Sequence, residues 1–309
     1  IEEREWIIFC KKNSRCLDKL INKIQSVKQK VIIDDEADYA TPNAKVNKQE
    51  KTRINQLVGE LLGEKGVYIG VTATPARLDL NNTFENANDR WVNFPPHQLY
   101  TGQDKFFPID LNRPLEYILE ALPDHNDDPK YLREALFRFF VRVAYLNLFI
   151  NSKGNNYCML IHTSGKRVDH SEDYKQVVTI FNVLKDQNAK DYNQYVKTIW
   201  DIAKKLYDEE KADKITQYIC EKIGQYVIVV MNSDTDRKNI DYSNATLPCA
   251  IFTIAIGGNI VSRGVTFENL LSMFFTRDVK HKIQQDTYIQ RARMFGNRGE
   301  TLQYFELAI

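Results

Sequence analysis

Residues 31–40 read VIIDDEADYA, a short apolar run followed by four acidic residues within five positions. Valine and isoleucine in an unbroken run are typical of a strand that is buried on both faces, and such strands form parallel sheets. In an open α/β sheet, ligands bind beyond the carboxyl ends of the strands. The stretch therefore predicts a parallel α/β sheet with a strongly acidic site at one end of one strand.

The sequence around this stretch alternates between strand-like and helix-like patterns. Apolar runs at residues 6–10 and 66–72 resemble the run at 30–34, and apolar residues at helical spacing separate them. A very apolar helix is expected over 130–151, where we expect it to pack between or across domains. A second α/β pattern follows, with helices expected at 172–223 and 282–294 and strands at 156–164, 226–233, 249–258, 269–277 and 301–309.

Bulk properties place the chain among ordinary globular proteins. It has 309 residues, 43% of them hydrophobic, and a net charge of +1, so no global basic field indicates a polyanionic partner. Its five cysteines are irregularly spaced, which favours reduced thiols in a cytoplasmic protein. No apolar run reaches the roughly 18 residues of a membrane span, so no membrane partner is expected. The opening IEEREWIIFC is not typical of a signal peptide, and we expect the chain to be a fragment of a longer protein.

Adjacent carboxylates after a buried strand suit a phosphate-hydrolysing site. One carboxylate can hold Mg²⁺, and the next can orient and deprotonate a water molecule. An acidic loop that is merely solvated at a sheet edge is the alternative. Polar or basic segments also occur at four other places, mostly after expected strands: TATPAR (72–77), HTSGKR (162–167), GGNIVSRGVTF (257–267) and QRARMFGNR (290–298).

Together these segments resemble the motifs of superfamily 2 helicases, which are P-loop NTPases. VIIDDEAD is similar to their Walker B or DEAD motif, TATP to the third motif, GGNIVSRGVTF to the fifth and QRARMFGNR to the sixth. KKN, TRIN and MLIHTS make the chain more similar still to one bacterial branch, the Z-one domain family, whose members are described as endonucleases. The resemblance spans residues 6–309.

The resemblance implies an α/β fold with two RecA-like lobes, each a parallel sheet covered by helices. Residues 1–110 would be the carboxyl-terminal part of an incomplete first lobe, 111–151 a helical connector and 152–309 the second lobe. No GxxxxGK[ST] phosphate loop occurs in the sequence. We therefore expect that loop on a missing N-terminal part, and we expect this fragment alone to be inactive.

Residue roles follow from the matched motifs. Asp35 would bind Mg²⁺, and Glu36 would be the general base in the hydrolysis of ATP. Asp38, Thr72 and Thr74 would couple the two lobes to the nucleotide state. Arg293 and Arg298 would be arginine fingers that reach the γ-phosphate when the lobes close, and Gln290 would set their position. Arg263, Gly264 and Thr266 would contact the nucleotide from the second lobe.

The chain departs from the family pattern at several of these motifs. Ala292 stands where a glycine is usual, and Met294 and Asn297 replace aromatic residues, which puts the aim of the fingers in doubt. Many relatives have an aspartate at the position of Thr266. Candidates for contact with nucleic acid are Lys11, Lys12, Arg77, Thr163, Ser164, Lys166 and Arg167.

The function implied is an ATP-dependent helicase- or translocase-like motor or switch acting on single- or double-stranded DNA, in bacterial restriction or phage defence. One alternative is a nucleotide-gated scaffold that recruits a separate effector, such as a nuclease or methyltransferase subunit. A second alternative is an endonuclease, although the sequence offers only Glu209-Glu210-Lys211 as an ExK element, in a helical stretch.

Overall fold

The computed structural model divides the chain into two compact units, residues 1–95 and 96–309. The residues that the structure describes are 5–38, 41–42, 52–72, 90–106, 108, 110, 112–123, 128–151, 153–162, 167–231, 246–258, 267–275 and 296–309.

In the part of the first unit that the structure describes, two parallel strands have helices on one face. Strand β1 (Val31–Asp35) pairs with β2 (Val67–Val71). Helix α1 (Ser14–Ile24) precedes β1, and α2 (Arg53–Leu62) connects the two strands. The helices bury their leucine and valine side chains against each other and against alternate residues of both strands.

The opposite face of this small sheet is exposed over the residues described. Val31, Ile33, Val67, Ile69 and Val71 all have large exposed fractions. The sequence predicted strands covered on both faces, and in this unit the structure describes a cover on one face only. Side chains alternate along each strand, so one set packs against the helices and the other set, also apolar, is exposed on the opposite face.

The prediction of a strand at residues 6–10 is wrong. The structure describes these residues without secondary structure, and Trp6, Ile7, Ile8 and Phe9 are exposed. An apolar run becomes a strand only where a neighbouring strand accepts its hydrogen bonds, and its composition alone does not supply that neighbour.

Over its described residues, the second unit is built around a six-stranded sheet with the order β4-β10-β8-β5-β7-β6, in which every pairing is parallel. The predicted α/β fold with a parallel sheet is confirmed. Its strands are β4 (Ile118–Glu120), β5 (Tyr157–His162), β6 (Tyr226–Met231), β7 (Phe252–Gly257), β8 (Leu270–Phe275) and β10 (Glu306–Ala308). A separate antiparallel pair joins β3 (Tyr100–Thr101) to β9 (Gly296–Asn297).

Helices cover one face of the large sheet. They are α4 (Pro129–Tyr145), which continues into a π-helical turn (Leu146–Ile150), α5 (Arg167–Lys185), α6 (Tyr192–Leu206) and α7 (Glu209–Lys222). The other face packs against a short helix, α3 (Gln103–Phe106), and a 3₁₀ turn (Gly299–Tyr304). Aromatic rings dominate the helical side, where Phe140 lies edge-on to Phe252 with their centroids 5.1 Å apart.

The units differ in extent from the predicted lobes. Strand β4 and helix α4 lie in the expected connector, yet both belong to the second unit, where β4 pairs with β10 and α4 fills the core. Strand β4 was not predicted, and the expected strand at 301–309 is a 3₁₀ turn followed by β10. The expected helix at 282–294 lies outside the described residues.

Candidate functional site

The acidic residues after β1 have distinct environments. Asp34 is buried, whereas Asp35 and Glu36 are exposed at the surface of the loop. Because side chains alternate along a strand, Asp34 points to the same face as Ile32, which packs against the helices. A carboxylate on that face needs hydrogen-bond donors from the protein.

Three side chains supply these donors. The Lys12 ammonium lies 2.8 Å from Asp34 Oδ1. Asp34 Oδ2 accepts hydrogen bonds from the Thr41 hydroxyl at 2.6 Å and from the Tyr68 hydroxyl at 2.7 Å. Since both oxygens are engaged, Asp34 anchors the end of β1 and is unsuited to bind a metal without giving up these partners.

The network extends into the helical side of the unit. Asn55 on α2 is buried and donates from Nδ2 to the Thr41 carbonyl at 3.0 Å. Burial and the hydrogen bond to Asp34 both raise the pKa of Tyr68, so the phenol stays protonated and continues to donate. The anchor therefore connects β1, β2 and α2.

The loop beyond the anchor has a fixed backbone. The Glu36 amide donates to Asp35 Oδ1 at 3.0 Å, and the Ala37 amide donates to the Val71 carbonyl of β2 at 2.9 Å. Glu36 has a φ angle of 53°, in the left-handed region that glutamate seldom adopts. This conformation presents the carboxylates of Asp35 and Glu36 at the carboxyl end of β1.

The oxygen donors here fit Mg²⁺ in a limited way. Mg²⁺ prefers carboxylate oxygens and usually takes only one or two of them, with water and substrate phosphate completing its shell. Asp35 offers one exposed carboxylate. Within the described residues, no group of three or more His, Cys, Asp or Glu side chains could hold a metal ion. The site therefore suits a cation bound largely through water and substrate, and it is no protein-built metal cage.

Two of the predicted coupling residues lie together. The Thr72 hydroxyl donates to Asp38 Oδ1 at 2.7 Å, which links the segment after β2 to the segment after β1. Thr72, the first residue of TATP, thus contacts the end of VIIDDEAD at one edge of the small sheet. Their role in coupling stays a prediction.

Lys12 was expected to contact nucleic acid, which stays a prediction, and in the structure its ammonium faces the acidic loop. Besides the ion pair with Asp34, its ammonium donates to the carbonyl oxygens of Asp35 at 3.1 Å and Glu36 at 2.7 Å. Only 19% of its side chain is exposed. Lys11 is exposed beside it, and Arg167 begins α5.

Arg298 lies in the second unit in a position different from that of an exposed arginine finger. It is buried, its Nη1 donates to the carbonyl of Leu270 at 3.4 Å, and its guanidinium lies over the Phe305 ring. Burial lowers the pKa of Arg298 to about 10, which leaves it charged at neutral pH. Because Leu270 begins β8, Arg298 sits at the amino end of the sheet. The finger role stays a prediction.

The carboxyl edge of the large sheet carries the strand ends that precede the other motifs. His162 ends β5 and stacks on Phe275, which ends β8, with ring centroids 4.9 Å apart, and Gly257 ends β7. The remaining predicted site residues lie outside the described residues: Thr74, Arg77, Thr163, Ser164, Lys166, Arg263, Gly264, Thr266, Gln290 and Arg293.

Sequence reasoning missed the anchor. It grouped Asp34 with the other acidic residues and did not consider Tyr68 or Thr41. Strand alternation was the available signal, since it places Asp34 and Tyr68 on the face that meets the helices. The contact with Lys12 had no local signal because the two residues are 22 positions apart.

Comparison with known proteins assigns the second unit to a family. The sequence profile of the Z1 domain matches residues 131–307, more than half of the chain, from α4 into β10. No curated protein is significantly similar in sequence. Among the helices described, none has the length and apolar character needed to cross a membrane.

Proposed function

The chain belongs to the Z1 domain family, and we propose that it is part of an ATP-dependent, helicase- or translocase-like motor or switch that acts on DNA. Two observations support this proposal. The sequence motifs resemble those of superfamily 2 helicases and of the Z-one domain family, and the acidic loop after β1 exposes two carboxylates. The setting we propose is bacterial restriction or phage defence, and this part rests on the resemblance alone.

One observation carries the proposal. Asp34, Asp35 and Glu36 are consecutive, yet the first is buried in a hydrogen-bond network and the other two are exposed on a fixed backbone. Strand alternation alone turns Asp34 and Asp35 to opposite faces, whereas the left-handed turn at Glu36 leaves a second exposed carboxylate on the residue after Asp35. This arrangement suits a hydrolytic site, because its reacting carboxylates must be accessible and held in a constant direction.

The two exposed carboxylates have separate roles in the proposal. Asp35 would hold Mg²⁺. When bound, ATP supplies the phosphoryl group, and Mg²⁺ supplies positive charge that offsets the negative charge of the phosphates. Glu36 would orient a water molecule and accept its proton as the water attacks the γ-phosphorus of ATP, the bond from that phosphorus to the bridging oxygen breaks, and ADP and phosphate leave. Proton transfer to a positioned side chain contributes about 10²–10⁴-fold to a rate. The buried Asp34 would keep both neighbours in register with the end of β1.

The test is ATP hydrolysis by the full-length protein with and without DNA. Glu36→Gln keeps the size and hydrogen bonding of the side chain but removes the base, so kcat should fall about 10²–10⁴-fold. Glu64→Gln is the matched control, because Glu64 is exposed in the turn after α2, in the same unit. Equal kcat for Glu36→Gln and the wild type would contradict the proposal.

The same assay separates the alternatives. A motor should hydrolyse ATP faster when DNA is present. A nucleotide-gated scaffold would turn over slowly and independently of DNA while binding a separate effector. An endonuclease would nick plasmid DNA with Mg²⁺ and no ATP, and Glu36→Gln would leave the nicking unchanged.

A further inference from the structure

We propose that Lys12 is a positioning residue, which holds the backbone of Asp35 and Glu36 so that the Glu36 carboxylate is aimed for proton transfer. The inference rests on the proposed ATP hydrolysis. It replaces the expected contact of Lys12 with nucleic acid by a role inside the hydrolytic site.

The Lys12 ammonium has a complete set of hydrogen-bond acceptors on the acidic turn. A lysine ammonium has three N–H donors. Those of Lys12 are matched by three acceptors on consecutive residues: the Asp34 carboxylate at 2.8 Å and the carbonyl oxygens of Asp35 at 3.1 Å and Glu36 at 2.7 Å. One cation therefore spans the whole turn on which the two exposed carboxylates stand.

Lys12 itself is held in place by the start of α1. It directly precedes Asn13, the N-cap of α1, whose side chain accepts a hydrogen bond from the Cys16 amide at 2.9 Å. The Asn13 amide in turn donates to the Lys11 carbonyl at 2.8 Å. Lys12 thus approaches the loop from a helix start with a fixed backbone, and its side chain is largely buried.

Glu36 has a backbone conformation that needs support from its surroundings. A left-handed glutamate costs of the order of 1–3 kcal/mol and persists only where its surroundings hold it. The peptide group that follows Glu36 is held at both of its polar atoms. Its N–H, the Ala37 amide, donates to the Val71 carbonyl of β2, and its carbonyl, that of Glu36, accepts a hydrogen bond from Lys12. Without Lys12 the loop would lose one of these two attachments, and the direction of the Glu36 side chain would vary.

Hydrogen exchange tests the attachment directly. In the full-length protein, the amides of Glu36 and Ala37 should exchange about 10–100-fold faster in Lys12→Met than in the wild type, because a charge-assisted hydrogen bond is lost. Lys19→Met is the matched control. Lys19 is exposed on α1 in the same unit, and its replacement should leave these two amides unchanged.

ATP hydrolysis tests the positioning. Lys12→Met should lower kcat by about 10–100-fold with little change in KM for ATP, since a misplaced base affects the transition state more than binding. Lys12→Arg, which restores a cation with several donors, should recover a part of the lost kcat. A contact with DNA predicts the opposite pattern: unchanged kcat without DNA and weaker DNA binding.

A further variant separates the backbone contacts from the ion pair. Lys12→Met leaves the Asp34 carboxylate buried without its cation, which could prevent folding. The double variant Lys12→Met, Asp34→Asn removes both charges and keeps Tyr68 and Thr41 hydrogen-bonded. We expect it to fold and to show both fast exchange and low kcat relative to Asp34→Asn alone.

The outcomes separate this inference from the function on which it rests. Unchanged exchange at Glu36 and Ala37 in a folded variant overturns the attachment. Fast exchange with unchanged kcat overturns the positioning role. A wild-type protein that hydrolyses no ATP overturns the proposed function, and exchange then decides whether Lys12 holds the loop.

Discussion

Asp34 and Asp35 are neighbours in the chain, but the fold gives their carboxylates different surroundings. Asp34 points toward the helices and binds Lys12, Thr41 and Tyr68. Asp35 is exposed, and its side chain accepts only a local hydrogen bond from the next amide among the contacts described. A single step along a strand, which turns the side chain to the other face, thus separates an anchoring carboxylate from one available for chemistry.

At the residue scale, we predict that Tyr68→Phe destabilises the first unit by about 1.5–3 kcal/mol. The phenol donates a hydrogen bond to the buried Asp34 carboxylate, and hydrogen bonds to charged groups contribute about that much. Urea unfolding followed by circular dichroism measures the change. Tyr174→Phe is the control: Tyr174 is exposed on α5, and its replacement should change the free energy of unfolding by less than about 0.5 kcal/mol.

The pH dependence of this difference has a definite sign. The pKa of Tyr68 is raised in the folded protein by burial and by Asp34, so folding favours the protonated phenol. The stabilisation is therefore fully present below pH about 10, the ordinary pKa of tyrosine, and declines as the pH rises toward the raised pKa. The stability gap between wild type and Tyr68→Phe should be constant from pH 7 to about 9 and narrow above about 10. A gap that widens above pH 10 would contradict the assignment.

At the element scale, an ion-pair cluster fastens α4 to β10. Glu306 begins β10 and is fully buried. Arg142 Nη1 lies 2.6 Å from Glu306 Oε2, and Arg138 Nε donates to both carboxylate oxygens at 3.1 and 2.9 Å. Burial lowers the pKa of Arg138, but the charge and hydrogen bond of Glu306, together with the charges of Glu120 and Glu134, outweigh it, and the pKa is raised overall. The cluster ties the helix to a strand more than 160 residues later in the chain.

We predict that Glu306→Gln destabilises the second unit by about 3–5 kcal/mol. It leaves Arg142 and Arg138 facing a neutral amide in a buried position, and breaking a buried pair from one side is costly for that reason. The control is Glu210→Gln on α7, which also removes a carboxylate from an ion pair, with Lys214 at 2.7 Å, but on the surface. It should cost less than about 1 kcal/mol in urea unfolding. Equal losses for the two variants would exclude burial as the cause.

How well the sequence predicted the elements depends on where their partners lie. Apolar runs such as 226–231 and 270–275 were predicted as strands within a few positions, because their β-branched and aromatic residues and their flanks are local signals. Strand β4 is three residues long and forms through pairing with β10, which comes almost 190 positions later. Residues 6–10 have the composition of a strand, yet the structure gives them none. Contacts between residues far apart in the sequence determine whether a short or apolar run forms a strand. Such contacts also determine the position of the Lys12 side chain.

At the scale of the whole molecule, the unit boundary decides which piece can fold independently. Helix α4 carries Phe137, Phe139 and Phe140, whose rings are buried against aromatic residues of α5, α6 and β7. The apolar helix was expected to pack between or across domains. It instead fills the core of the second unit, so that core begins before residue 152.

We therefore predict that residues 96–309 fold alone and that residues 152–309 do not. The longer piece keeps all six strands and both sides of the core. The shorter piece lacks β4 and α4. Each of the three buried phenylalanines of α4 contributes about 1.5–3 kcal/mol to the free energy of unfolding. Their loss, together with the cost of leaving Glu306 buried without Arg138 and Arg142, is close to the whole free energy of unfolding of a typical domain. Thermal unfolding by circular dichroism should be cooperative for 96–309. The unfolding curve of 152–309 should show no cooperative transition. A cooperative transition at the same temperature in both pieces would mean that α4 is an accessory helix outside the folding core.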